Sequence, residues 1–214
     1  MPVTAWTWDP SRAIDDDPLR ERVEAAVRFR RNVLRLPGEG TDAYRLVHGA
    51  GDRMPGLVVD RYGPLVSAEV SVLGTFLRMA AIKDALRKEL RFDAIFVRDE
   101  PRISRKEGFK VPPARPGPEW RVVIREHEAR YGVDASGGHK TGFFLDQRDT
   151  RRRFAELCRG RRVLDLFCHA GGFGILAPHR GARSVRCVDL DEGAVELATG
   201  NAALNLSLIH ISQP

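Results

Sequence analysis

The amino-acid sequence predicts an α/β fold whose last third contains a parallel sheet. A short apolar run, from Val163 to Phe167, is followed by a glycine-rich turn and a helix-like segment. A second strand-like run begins at Ser184 and ends at Asp189, before another helix-like segment. Short apolar strands that alternate with helices are typical of parallel sheets covered on both faces. We therefore expect the first strand to be buried on both faces and a ligand site to lie at the carboxyl ends of the two strands.

Residues 1–36 predict a helix that leads into the rest of the chain. From Asp15 to Leu36, apolar side chains recur at helical spacing, and Pro37 and Gly38 supply a stop signal. No apolar run approaches the roughly 18 residues of a membrane span. The first ten residues also lack the basic and apolar regions of a secretory signal.

Residues 37–136 predict an α+β unit. The strand-like segments RLVHG, LVVDRYG and LVSAEVSV are followed by a helix from about Thr75 to Leu90 and by strand-like AIFVR. A loop with four prolines, Val111 to Glu119, precedes WRVVIREHEARYGVDA, which alternates as a hairpin does. We place the next boundary near Gly137, so that residues 137–205 hold the parallel sheet.

The turn after the first parallel strand carries the residues best suited to a ligand. A carboxylate at Asp165 is costly in an apolar strand unless it accepts hydrogen bonds from loop amides or faces a ligand. Gly171, Gly172 and Gly174 let the backbone turn tightly and approach a ligand closely. Asp189, at the tip of the second strand, is placed to accept both hydroxyls of a ribose. These residues predict a nucleoside cofactor.

Two classes of cofactor fit this pattern. The stretch GFGILA, from Gly172, matches the G-x-G-x-x-A of dinucleotide-binding folds, and an acid follows 17 residues later at Asp189. That spacing is shorter than the roughly 20 residues of the dinucleotide fingerprint. Asp165 also stands where a dinucleotide-binding strand is apolar. S-adenosylmethionine is therefore favoured, and a nicotinamide-dependent oxidoreductase fragment remains the alternative.

Three stretches together resemble a known family. They are HKTGFFLDQRDTRRRFAEL (139–157), RVLDLFCHAGGFGI (162–175) and VDLDEGAVELATGNAALN (188–205), with GDRMPGLVVDRYGP (51–64) upstream. Their order resembles the RlmI-like class I S-adenosylmethionine-dependent methyltransferases, over roughly Trp6 to Asn205. The resemblance implies the N-terminal half of a Rossmann-like class I methyltransferase domain, preceded by an α+β central domain. Members of that family include enzymes that methylate carbon 5 of a cytosine in 23S ribosomal RNA.

The resemblance also assigns candidate cofactor-binding residues. The pocket for the methionine end would be shaped by Asp165, Phe167, Gly171 and Gly172. Asp189 would bind the ribose hydroxyls. The segment before the first parallel strand would fold over the cofactor through Phe144, Asp146 and Arg148, where Arg148 could pair with the cofactor's carboxylate. The alternative for this segment is that Asp146 caps a helix beginning near Gln147 and that Arg148 is solvated.

Some parts of the family pattern are expected to be missing. Relatives begin with a small RNA-binding barrel of the PUA type, of which only Ala5 to Pro10 could be a remnant. Neither the family's Asp-Pro-Pro motif nor a cysteine after Cys187 occurs. We therefore expect no catalytic residue in this chain and no methyl transfer by it alone. Cys158, Cys168 and Cys187 are expected to be small buried apolar residues rather than nucleophiles.

Residues 206–214 allow two interpretations. The apolar side chains of Leu208, Ile209 and Ile211 predict a third strand. The heptapeptide LSLIHIS also matches what the end sequence of a transposon used in DNA-library preparation encodes in frame. On that basis we expect a non-native tail after about Asn205.

The charge of the chain suits a partner made of phosphates. The net charge is +6, and 30 of the 35 basic residues are arginine. Seven arginines fall within 15 residues near the first parallel strand: Arg148, Arg151, Arg152, Arg153, Arg159, Arg161 and Arg162. They indicate either a solvated helix face or a contact with an RNA backbone, so a non-catalytic RNA-binding module is a second alternative.

The expected partner is ribosomal RNA, with no membrane and no metal. Three cysteines without C-x-x-C spacing argue against both a disulfide framework and a zinc site. A cytoplasmic location follows as the default for such a chain.

Overall fold

The computed structural model describes residues 11, 17–38, 40–115, 117–137, 142–205 and 209–212. The first half is built on a mixed four-stranded sheet in the order β1-β2-β3-β4, in which only β3 and β4 are parallel. Its strands are β1 (Ala43–His48), β2 (Leu57–Tyr62), β3 (Leu65–Val70) and β4 (Ala94–Asp99). All four coincide closely with predicted strands. The Ala5 to Pro10 segment lies outside the described residues.

The first helix is shorter than the sequence predicts. α1 covers Asp17–Arg28, and the chain then continues as a π-helical turn, Phe29–Val33. The turn directs Arg30 inward, where its guanidinium binds both carboxylate oxygens of Asp52, while the ring of Phe29 is left half-exposed. The Arg30–Asp52 ion pair is a tertiary contact. The spacing of apolar residues, from which the helix was predicted, contains no information about it.

The predicted helix from Thr75 to Leu90 is two helices. α2 covers Leu73–Leu77 and α3 covers Met79–Glu89, with a break at Arg78. The hydroxyl of Thr75 donates to the carbonyl of Pro55, which ties α2 to the turn before β2. α1 and α3 pack together over one face of the sheet and bury a core of aliphatic side chains there.

One helix was not predicted. α4 covers Pro101–Glu107, with proline in its first turn, a side-chain cap from Glu100 and a left-handed Gly108 at its end. These are ordinary start and stop signals, but the seven-residue segment has too few apolar residues to show a helical period.

A hairpin covers the other face of the mixed sheet. It consists of β5 (Arg121–Glu126) and β6 (Ala129–Asp134), as predicted. Ile124 and Tyr131 pack with Tyr62 of β2 in a second core, which also contains Ile175 from the last third of the chain. This shared core joins the hairpin to the parallel sheet.

The last third contains a parallel sheet in the order β7-β8-β9. Its strands are β7 (Arg162–Leu166), β8 (Ser184–Val188) and β9 (Ile209–Ser212), and its helices are α5 (Arg148–Glu156), α6 (Gly172–His179) and α7 (Glu192–Leu204). Asp191 caps α7 by accepting from the amide of Ala194. The backbone of residues 209–212 therefore forms the third strand that their apolar pattern allows.

The expectation that both faces of β7 are buried was wrong. α6 packs on β7 and β8, and Val185 and Cys187 are buried beneath the helices. On the opposite face Leu164 is 58% exposed and Leu166 is 55% exposed. No described helix lies over that face, so the apolar side chains of β7 are buried on one face of the strand only.

Candidate functional site

The loop from β7 to α6 is held in a conformation that few residues adopt. Phe167 and His169 have φ values of 58° and 48°, and Gly171 has 74°. Positive φ is uncommon for residues other than glycine. The loop is fixed by the amide of Cys168, which donates to the carbonyl of Val188 at 3.1 Å. This bond places the loop beside the carboxyl end of β8.

Asp165 closes the loop onto the helix that follows it. Its Oδ2 accepts a hydrogen bond from the amide of Gly174 at 3.0 Å. Burial raises the pKa of Asp165, the bond from Gly174 opposes this, and the charge of Asp189 adds to the rise. The expected bond to a loop amide is therefore present, and the carboxylate is retained at an electrostatic cost.

The glycines of this loop serve packing as well as turning. A Cβ on Gly174 would lie 2.2 Å from Sγ of Cys187 and 3.3 Å from Asp165, so α6 can approach β8 only with glycine there. A Cβ on Gly172 would meet the side chain of Arg151 at 3.1 Å. Gly171 supplies the left-handed residue that begins α6. Their expected role beside a ligand stays a prediction.

Asp189 lies at the carboxyl end of β8 and organises the same loop. Its Oδ2 accepts from the amide of His169 at 2.8 Å, and its Oδ1 accepts from the amide of Asp191 at 3.1 Å. Slight burial opposes ionisation, but the backbone hydrogen bonds outweigh it and lower the pKa of Asp189. The carboxylate is therefore ionised at neutral pH, and it remains partly exposed.

Two large apolar side chains are exposed next to these acids. Phe167 is 79% exposed and Leu190 is 73% exposed. An ionised carboxylate between exposed apolar groups fits a nucleoside, whose ribose hydroxyls donate and whose base is flat and largely apolar. Leu190 was missed at the sequence level, although its place directly after Asp189 could have indicated it.

The segment before α5 divides between two places. The ring of Phe144 packs edge-on against the ring of His169, 5.3 Å away, so it reaches the β7–α6 loop. Asp146 and Arg148 instead line a groove of about 370 Å³ with Arg45 and Tyr44 of the mixed sheet. Their expected contact with a cofactor stays a prediction.

The alternative role for Asp146 as a helix cap was wrong. α5 begins after a 3-10 turn, Leu145–Gln147, and has no side-chain cap at Gln147. Arg148 lies 3.5 Å from the carboxylate of Asp149 and is about one quarter exposed, so it is only partly solvated.

Arg151 was grouped with a basic surface cluster, and the structure corrects this. Its side chain is 3% exposed, and Nε and a terminal nitrogen donate to the two carboxylate oxygens of Glu126 at 2.6 and 2.7 Å. The same guanidinium donates to the carbonyl of Phe144 and lies over the ring of Phe143. Arg151 therefore supports the loop from inside.

A buried asparagine makes a second support that the sequence did not reveal. Oδ1 of Asn201 accepts from the amide of Gly132 at 2.6 Å, and its Nδ2 donates to the carbonyl of Ala170 at 3.0 Å. Asn205, one turn later, bonds both the amide and the carbonyl of Arg130. Asparagine is a poor helix former. Two asparagines one turn apart at the end of a predicted helix were therefore the sequence signal that could have indicated this support.

All three cysteines are buried, as predicted. Burial raises the pKa of Cys158. Cys168 and Cys187 are hydrogen-bonded to each other, which raises the pKa of Cys187 and lowers that of Cys168. None of the three side chains is more than 7% exposed, so none is open to attack a large substrate.

Comparisons with known proteins find methyltransferases. A family model described as S-adenosylmethionine-dependent methyltransferase matches residues 113–211. Ribosomal RNA large subunit methyltransferase I of Aeromonas hydrophila is 36% identical over 207 residues, which are 94% of this chain and 51% of that protein. The protein of the same name from Cronobacter sakazakii is 34% identical over 203 residues, again 94% of this chain and 51% of that protein. The chain thus spans about half the length of these relatives.

Two solved structures share the fold. A Streptococcus mutans structure named as a SAM-dependent methyltransferase has a TM-score of 0.77 at 22% identity, over 94% of this chain and 53% of that one. A methyltransferase complexed with SAH has a TM-score of 0.79 at 22% identity, over 94% of this chain and 52% of that one. The last third therefore has the Rossmann-like class I fold.

Residues 113–211 thus match the S-adenosylmethionine-dependent methyltransferase family. Over 94% of its length the chain is also similar to ribosomal RNA large subunit methyltransferase I, in agreement with the RlmI-like resemblance of its motifs. Among the described residues, no helix is long and apolar enough to cross a membrane.

Proposed function

We propose that this chain provides the cofactor-binding part of an enzyme that methylates carbon 5 of a cytosine in 23S ribosomal RNA. The names of its relatives support a ribosomal RNA substrate. The resemblance of the motifs from His139 to Asn205 supports cytosine C5 as the target. A ribosomal substrate and three unpaired cysteines support a cytoplasmic location.

The observation that carries the proposal is the ionised carboxylate of Asp189 at the tip of β8. It lies next to exposed Leu190 and is bonded to the loop that holds Phe167. In the proposed complex, Asp189 accepts the ribose hydroxyls, and the two apolar side chains contact the base. Asp165, Gly171 and Gly172 line the methionine end.

S-adenosylmethionine, when bound, supplies a methyl group on an electrophilic sulfonium. In the family that the motifs resemble, a cysteine thiolate adds to C6 of cytosine and so makes C5 nucleophilic. The three cysteines of this chain are buried, and none can play that role. We therefore propose that this polypeptide alone binds the cofactor weakly and transfers no methyl group to cytosine.

We also propose the domain roles that the resemblance implies. Residues 37–136, which hold the mixed sheet and the hairpin, correspond to the central domain of the family. Residues 1–36 correspond to the end of a PUA-like barrel and a linker helix. Residues 137–205 correspond to the first part of the methyltransferase domain.

The test is S-adenosylhomocysteine binding by calorimetry to the wild-type chain and to Asp189→Asn. Loss of a hydrogen bond to a charged group costs about 1.5–3 kcal/mol, so we expect binding to weaken at least tenfold. Asp84→Asn, which changes an exposed acid on α3, is the matched control. A chain whose melting temperature shifts with NADH but not with S-adenosylhomocysteine would instead support the oxidoreductase alternative.

Methyl transfer is tested separately. The chain is incubated with methyl-labelled S-adenosylmethionine and ribosomal RNA, and we expect no label in the RNA above background. Incorporated label would contradict the proposed inactivity and would require a nucleophile other than the buried cysteines.

A further inference from the structure

Four arginines lie together at the amino ends of the parallel strands. Arg162 begins β7, Arg161 directly precedes it, and Arg183 directly precedes β8. The amide of Arg183 donates to the carbonyl of Arg161 at 2.8 Å, and Arg159 forms an isolated bridge with Ala182. We call Arg159, Arg161, Arg162 and Arg183 the arginine edge. Because β7 and β8 are parallel, all four residues lie at the same edge of the sheet.

The side chains of the arginine edge are exposed, and no acidic side chain among the described residues pairs with them. None of the four forms a salt bridge within the part of the chain that the structure describes. By contrast, Arg152 pairs with Glu156, and Arg180 pairs with Glu128 at 2.7 Å. The segments 157–164 and 179–188 contain no acidic residue at all. The charge at this edge is therefore left for an external anion.

The backbone holds these positive charges near one another although like charges repel. Gly160 and Gly181 both have positive φ, at 70° and 86°, and the amide of Gly160 donates to the carbonyl of Gly181 at 2.7 Å. A Cβ on Gly181 would contact Cγ of Arg159 at 3.7 Å, so the stem of this arginine passes close to the second turn. Adjacent like charges repel one another. An anion with regularly spaced charges relieves that repulsion and gains charge-assisted hydrogen bonds.

We propose that the arginine edge binds the phosphate backbone of RNA. Arginine is well suited to phosphate because its planar guanidinium can donate two parallel hydrogen bonds. The edge lies at the opposite end of β7 from Phe167 and Asp165, and the rise from Arg162 to Phe167, five residues later, is about 17 Å. The RNA would therefore contact this surface away from the reacting base. The inference deepens the proposed function, since it names a second contact for the same RNA partner.

The test compares two variants that lose the same charge. The first is R159Q/R161Q/R162Q/R183Q, and the control is R28Q/R87Q/R102Q/R105Q, which removes four exposed arginines from the first half of the chain. Binding of a fluorescein-labelled RNA hairpin is measured by anisotropy between about 50 and 200 mM salt, where phosphate contacts dominate the affinity. Circular dichroism and thermal melting check that both variants are folded.

We expect the edge variant to bind the hairpin at least tenfold more weakly than the control variant. We also expect its slope of log affinity against log salt to fall by about 0.9 for each lost phosphate contact. Equal weakening in the two variants, or an unchanged slope, would overturn the proposal. Binding of S-adenosylhomocysteine should be the same in both variants. A chain that binds RNA through the edge but no S-adenosylhomocysteine would refute only the proposed cofactor function.

Discussion

Arg151 of α5 and Glu126 of β5 form a buried ion pair with two parallel hydrogen bonds, at 2.6 and 2.7 Å. Their side chains are 3% and 0% exposed. Arg151 also binds the carbonyl of Phe144 and packs beside Gly172 at the start of α6. The pair therefore couples the hairpin to both segments that contribute to the candidate cofactor site.

Removing one member of this pair should destabilise the protein strongly. Glu126→Leu or Arg151→Met leaves its partner buried and uncompensated, which costs about 3–5 kcal/mol. The free energy of unfolding, measured by urea titration, checks this value. The double variant Glu126→Leu/Arg151→Met should recover most of the loss, because an apolar pair of similar volume needs no desolvation. Strictly additive losses in the double variant would contradict this explanation.

Gly174→Ala should be destabilising for a reason that a second substitution can remove. The new Cβ would lie 2.2 Å from Sγ of Cys187, and overpacking of this kind costs about 1–3 kcal/mol. Cys187→Ala deletes that sulfur. We expect Gly174→Ala/Cys187→Ala to be more stable in urea than Gly174→Ala alone. If the two single losses simply add, the close approach of α6 to β8 is not the cause.

Asp165 should lower the stability of the fold at neutral pH. Its pKa is raised by burial and by the charge of Asp189. The folded state therefore disfavours its carboxylate, at a cost that is present above the raised pKa and is lost as the pH falls through it. Asp165→Asn should melt at a higher temperature than wild type at pH 7.5, and this gain should shrink at acidic pH. A gain that is constant with pH would show that the charge is not responsible.

Asn201→Ala should loosen the contact between α7, the hairpin and the β7–α6 loop. The change leaves the amide of Gly132 and the carbonyl of Ala170 without their partner, at about 1–3 kcal/mol for each group that stays buried. Asn205→Ala is the matched control because its bonds to Arg130 are more exposed and water can replace them. Equal losses in urea unfolding would argue against a special role for Asn201.

The elements nearest the candidate site were predictable because their signals are local. The Gly172–His179 helix, the Asp191 cap and the hairpin all depend on residues close together in sequence. The early end of α1 was not predictable. It coincides with the ion pair that Arg30 of the following turn forms with Asp52, 22 residues away. The break at Arg78 lies within a continuous apolar pattern that gave no sign of it.

The sequence by itself determined the class of the protein and the loop that carries its candidate site. Asp165, the three glycines and Asp189 follow one another in an order that a short βαβ unit requires, so no distant contact is needed to identify them. Only the tertiary structure decided what each charge does. Arg151 and Arg161 belong to one basic run, yet Arg151 is buried against Glu126 while Arg161 stands exposed at the arginine edge. Burial and pairing depend on partners brought from other elements, and a one-dimensional pattern does not contain them.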